Sequence, residues 1–144
     1  MLKKILSVSG KPGLFKLISY GKNLIVIECI ADGKRVPAYS NDKIISLGDI
    51  AIYTDTTEVP LGVVLKTIYT KFDGNPLNAK EYNTPESLRN FFQEILPAYD
   101  KERVYNNDIK KIISWYNILI NAGITDFSND EEQKDNNEEQ KAEK

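Results

Sequence analysis

Six side chains in the N-terminal part of the chain have the types and spacing that suggest chemistry: Lys16, Tyr20, Lys22, Lys34, Arg35 and Tyr39. Lysine and arginine supply a positive groove for a phosphate backbone, and interleaved aromatics supply faces on which bases stack, as in small barrels that bind single strands. The plainer alternative is scattered solvated lysines around core aromatics. Lys101, Arg103, Lys110 and Lys111 could make a second basic patch. Trp115 lies with Ile118 and Lys111 off the main apolar stripe of its helix, where it is either a partner-binding anchor or the seam against a neighbouring element.

Covalent and acid–base chemistry is less well provided for. The 144 residues contain no histidine, so the side chain that most often moves protons near neutral pH, and the commonest metal ligand, is missing. The single cysteine, Cys29, shares a strand face with Ile25 and Ile27 and reads as a small buried hydrophobe. Asp100 and Glu102 read as surface charge. The Gly10 to Gly13 turn lacks both the ending and the strand-to-helix setting of a phosphate loop. No catalytic residue, metal ligand or cofactor site is expected, and a non-enzymatic protein follows.

The elements that would position these side chains fall into two groups. Leu14 to Tyr20, Leu24 to Ile30, Arg35 to Tyr39 and Ile50 to Thr54 are short apolar runs divided by Gly21-Lys22-Asn23 and by Asp32-Gly33, a good hairpin signal. Pro37 cannot donate to a ladder, so its strand belongs at an edge or a bulge. Leu14, Lys16, Ile18 and Tyr20 are expected on one face, with Phe15, Leu17 and Ser19 on the other. Strands this short are expected to close into a small SH3-like β-barrel over residues 1–55.

Past Asp55 the apolar period changes from two to about 3.6. A helix is expected from Pro60 to the Asp73-Gly74 stop. A second starts at Thr84-Pro85-Glu86 and ends at Pro97, and a third runs from about Asp108 to Asn121 with Ile109, Ile112, Ile113, Tyr116, Leu119 and Ile120 inward. The second and third helices loosely resemble a helix-turn-helix with a long connector. The fold class is therefore α+β: a barrel, a helical region over residues 56–126, and a tail over 127–144. From Ser128 the chain has no apolar side chain larger than alanine, so this acidic tail is expected to be disordered.

The net charge of −2 is unevenly spread. Residues 126–144 hold eight acids against three bases, whereas residues 1–55 hold eight bases against five acids. That small basic excess permits nucleic-acid binding by the barrel, with the tail as a competitor for the same face. The start of the chain is too short and broken an apolar run for a secretory or membrane segment, so a cytoplasmic location is expected.

Five stretches, ILSVSGKPGLFKLIS, DGKRVPA, KIISLGDIAIYT, VPLGVVLKTIY and LPAYDKERVYNNDIKKIISWYNIL, resemble an uncharacterised bacterial family, domain-of-unknown-function family 5606, over residues 5 to 119. The resemblance implies a small SH3-like barrel followed by a helical region and suggests nucleic-acid binding, with no catalytic residues. The leading expectation is a protein that contacts DNA or RNA through Lys16, Tyr20, Lys22, Lys34, Arg35 and Tyr39. Its rival is a protein-interaction adaptor using the barrel edge or the Trp115 face. No membrane partner and no small-molecule substrate are expected.

Overall fold

The structure, a computed structural model, describes residues 2–127 apart from 12, 40 and 41. Of the disordered tail expected over 127–144, residues 128–144 lie outside the described ones, whereas Phe127 is buried in the core. Seven strands and three helices make an α+β fold: β1 (Ile5–Val8), β2 (Phe15–Gly21), β3 (Leu24–Cys29), β4 (Arg35–Tyr39), β5 (Ile44–Ser46), β6 (Ala51–Tyr53), β7 (Glu58–Pro60), α1 (Leu61–Lys71), α2 (Pro85–Ile95) and α3 (Asn106–Asn121).

The first five strands form an antiparallel sheet in the order β4-β3-β2-β1-β5. Among the described residues no ladder joins β4 to β5, so the expected closed barrel is not formed. The reason is local. β4 carries Pro37 along the edge, as its missing N–H requires. β5 has three residues before Leu47–Asp49 tightens into a 3-10 turn. Gly48 lets the Leu2–Lys4 turn cross that element, because a Cβ there would meet the Lys3 backbone at 3.0 Å. The run expected to be the last barrel strand pairs elsewhere: β6 aligns with β7 in a separate two-stranded sheet. Ile44–Ser46, outside the strands expected above, takes its place beside β1.

β2 also departs from simple alternation. Phe15 pairs with Cys29 and Leu17 with Ile27, but a bulge then shifts the register so that Ser19 pairs with Val26 and Tyr20 with Ile25. The bulge resets the faces. Tyr20 falls on the side of Leu17 and Ile27, and Lys16 on the other.

Two apolar clusters hold the molecule together. The inner face of the sheet carries the smaller one, with Leu6, Val8, Phe15, Ile27 and Ala38 buried and Cys29 half-buried against them. The larger cluster joins Leu2, Ile5, Leu14 and Leu47 to Leu61, Leu65 and Ile68 of α1, Phe92 of α2, and Ile109, Ile112 and Tyr116 of α3. Strand and helical regions therefore share a core. The helices form where their apolar stripes were expected. Thr84 Oγ1 accepts from the Ser87 N–H at 3.1 Å while Ser87 Oγ accepts from the Thr84 N–H at 3.1 Å, a capping box that starts α2. α3 begins two residues earlier than expected because the Tyr105 N–H donates to Asp108 Oδ2 at 3.0 Å. Beyond α3 the chain crosses α1, where the Phe127 carbonyl lies against Gly62 and its ring meets Tyr69 edge-on at 5.9 Å. No described helix is long and apolar enough to cross a membrane.

Candidate functional site

The six N-terminal candidates do not converge. Tyr20, Lys22 and Tyr39 lie at the β2–β3 turn end of the sheet, while Lys34 and Arg35 lie at the β3–β4 hairpin end. The six residues of β3 between them span roughly 17 Å at the usual strand rise. Lys16 belongs to the hairpin end, and the register sets Lys16, Glu28 and Arg35 in one cross-strand row. Glu28 divides the two cations, and its Oε1 lies 3.2 Å from Arg35 Nε. The hairpin itself is held by the Lys34 N–H donating to Asp32 Oδ1 at 3.0 Å. That bond, with a further one from Cys29, holds the Asp32 carboxyl below its ordinary range.

At the other end Tyr20 is 80% exposed and Tyr39 50% exposed. Both border an open concavity of about 310 Å³ floored by Ile25, Ala38 and Ile44. Asn23, at φ 65°, supplies the left-handed residue that the turn needs. The two exposed rings are the aromatic faces of this end, and Lys22, in the adjoining turn, is not among the residues that line the concavity.

A better formed cleft lies between β6 and the start of α3. It encloses about 220 Å³ above a floor of Ile50, Ile52, Val104, Ile112 and Trp115, with Tyr53, Arg103, Asp108 and Lys111 at its rim. β6 and the segment before α3 are tied together by a bridge from Thr54 to Tyr99 and by the Asp100 N–H donating to the Tyr53 carbonyl at 2.9 Å. Arg103 stacks over the Tyr53 ring at 4.9 Å and its Nε approaches Asp100 Oδ2 at 3.5 Å. Asp100 Oδ1 accepts from the Glu102 N–H at 2.9 Å, so this acid builds a turn. The carboxylate of Asp108 is occupied in starting α3. Lys111 has no ion-pair partner among the described residues.

Trp115 is half-buried. It packs against the main cluster and also lines the cleft, so the anchor and seam roles meet in one side chain. The helix-turn-helix likeness does not survive, because Leu96 to Tyr105 separates α2 from α3 and is pinned to β6. Sequence reasoning singled out Arg103, Lys111 and Trp115 but missed Ile50, Ala51, Ile52 and Tyr53. Only the exposure of Tyr53, at 41%, marks that strand, and exposure is not written in an alternating IAIYT run. Among the described residues, no group of three or more carboxylate or thiol side chains is placed to hold a metal ion.

The fold and cleft define a class: a small α+β protein in which, among the described residues, an open antiparallel sheet and three helices share a core beside a small apolar-floored cleft. The chain belongs to the uncharacterised domain family that the five quoted stretches resemble. Residues 2–47 match Domain of unknown function (DUF5606), and residues 50–119 match a second, Domain of unknown function (DUF6852). The resemblance read over residues 5 to 119 thus divides where β5 ends and β6 begins. A solution NMR structure of a protein from Bacteroides vulgatus is 55% identical, with a TM-score of 0.73 over 88% of this chain and 91% of that one. A search among curated proteins found no match.

Proposed function

We propose that this is a non-enzymatic interaction protein that docks a segment of another protein in the β6–α3 cleft. The observation that carries the reading is the cleft's make-up: an apolar floor with a half-buried tryptophan, inside a rim of opposite charges. Its volume of about 220 Å³ is below the roughly 300 Å³ at which small-molecule pockets begin, and suits one large side chain. Mixed rim charge favours protein over a phosphate backbone, which rewards a single sign. Trp115 is the chain's only tryptophan, so its emission reports on this site. Panning the full-length protein against a displayed random heptapeptide library should return peptides that shift Trp115 emission. Peptides that bind without any such shift would place the interaction elsewhere.

A second reading is favoured by one specific feature, the exposed Tyr20 and Tyr39 at the sheet end whose turn carries Lys22. There, nucleic acid would stack at the turn end of the sheet, and Lys16, Lys34 and Arg35 at the hairpin end would contribute only if a strand ran along the sheet. The strand order, a β2–β3–β4 meander with β1 and then β5 added on the β2 side, supports reading this region as an SH3-like barrel left open between β4 and β5. Labelled single- and double-stranded DNA and RNA titrated at two salt concentrations test it. Binding that fails to weaken with salt, or that survives replacement of Tyr20 and Lys22 by alanine, removes this reading.

A further inference from the structure

The edge of β6 that faces the cleft is open. In the β6–β7 pair, the Leu61 N–H donates to the Ile50 carbonyl at 2.9 Å and the Thr54 N–H to the Thr57 carbonyl at 2.8 Å. Hydrogen-bonded pairs in an antiparallel ladder recur every second residue, so Ile50, Ile52 and Thr54 turn their backbone groups toward β7. Ala51 and Tyr53 must then turn theirs the other way. The Asp100 N–H fills one of those positions by donating to the Tyr53 carbonyl. The chain then leaves the edge, since the Asp100 carbonyl accepts from the Arg103 and Val104 N–H groups instead. Among the described residues, the Ala51 N–H, the Ala51 carbonyl and the Tyr53 N–H are left without a partner, and both residues line the cleft.

We propose that this edge accepts an extended peptide segment of another protein as an added strand, which sets a large apolar side chain against Trp115 and an acidic one beside Lys111. The inference rests on the docking reading above and specifies its partner. Backbone pairing gives such a segment affinity without demanding a particular sequence, and the floor and rim choose the side chains. Charge complementarity selects the acid: Arg103 is already held by Asp100 and Tyr53, and Asp108 by the Tyr105 N–H, which leaves Lys111 as the rim's uncommitted charge. Two other occupants fit poorly. Residues 128–144 are acidic but have no apolar side chain larger than alanine to fill the floor. With three free backbone groups, two copies paired edge to edge would bury far less than the roughly 1,200 Å² of a stable interface.

The test uses the full-length protein and the best heptapeptide from the displayed library, titrated by Trp115 emission. The selected peptides should share a large apolar residue with an acid one or two positions away. Ala51→Pro removes the free N–H without touching the β7 ladder, and one lost backbone bond should weaken binding roughly fivefold. Lys111→Glu should weaken acid-bearing peptides by a similar factor. With the wild-type protein, methylating peptide amides one at a time should weaken binding at alternate residues only, where the amide faces β6, and most, by roughly fivefold or more, at the amide that donates to the Ala51 carbonyl, an outcome that does not depend on any variant folding. Several results would overturn the proposal. Emission shifts with no alternation and no response to Ala51→Pro would leave docking at Trp115 standing and remove strand addition. Failure of any peptide to move the emission would remove both. A tenfold gain in affinity on deleting residues 128–144 would make the tail the occupant, and a dimer dissociated by Ala51→Pro would make it a second copy.

Discussion

The Tyr99 hydroxyl is buried without a hydrogen-bond partner among the described residues, although the ring is well used, edge-on to Phe92 at 5.0 Å and beneath Lys101 Nζ at 4.7 Å. An unpartnered buried hydroxyl carries its desolvation cost with no return bond. Tyr99→Phe is therefore expected to leave stability unchanged or raise it by up to about 1 kcal/mol in urea unfolding. Tyr116 contrasts with it, because its hydroxyl donates to the Asn75 carbonyl at 2.9 Å and secures the loop before α2. Burial pushes the Tyr116 phenol above its ordinary 10.0, with Tyr69 adding to the effect. The folded state thus holds this proton more tightly than the unfolded chain does. Its contribution is complete below about pH 10 and is lost as pH rises past that value toward the folded one. Unfolding curves between pH 9 and 11 should show this loss in the wild type and a shallower one in Tyr116→Phe, which at neutral pH costs about 1 kcal/mol for the missing bond.

Among the elements, α2 depends on its start. Pro85 at the first helical position and the reciprocal Thr84–Ser87 bonds satisfy donors that the helix cannot. Thr84→Ala should destabilise the protein by about 1 kcal/mol, read as a lowered urea midpoint with an unchanged slope. α1 has a different need. Gly62 is buried under the Phe127 carbonyl, so Gly62→Ala must displace the segment that returns from α3. We expect the ring contact between Phe127 and Tyr69 to be lost, seen as altered Phe127 ring resonances, while the helix persists because alanine favours it. Unchanged Phe127 resonances would show that the segment can shift without leaving.

At the scale of the whole molecule, the larger cluster is what makes one body of two family-model matches. Leu2, Ile5, Leu14 and Leu47 are buried against helical residues, whereas the sheet's own cluster buries only five side chains. Residues 1–48 alone should accordingly lack a cooperative thermal transition, since so small a core cannot offset chain entropy. A sharp melting transition for that fragment would show the sheet to be self-sufficient. The same sharing of a core places β6 beside α3, and so creates the cleft from two groups of residues fifty or more positions apart in sequence.

The amino-acid sequence by itself determined the local elements. Thr84-Pro85-Glu86 opens a helix, Asp32-Gly33 closes a hairpin and Pro37 keeps β4 at an edge, because caps, turns and missing donors act within a few residues. It also carried the family motifs and singled out Lys111 and Trp115. Only the tertiary structure decided what these serve. The Leu17–Ser19 bulge turned Tyr20 away from Lys16, Glu28 came to stand between Lys16 and Arg35, and IAIYT paired with Glu58–Pro60 and left the sheet open. Each of these outcomes depends on strand register, and register follows from which apolar face finds a partner across long loops, a choice that no local stretch contains.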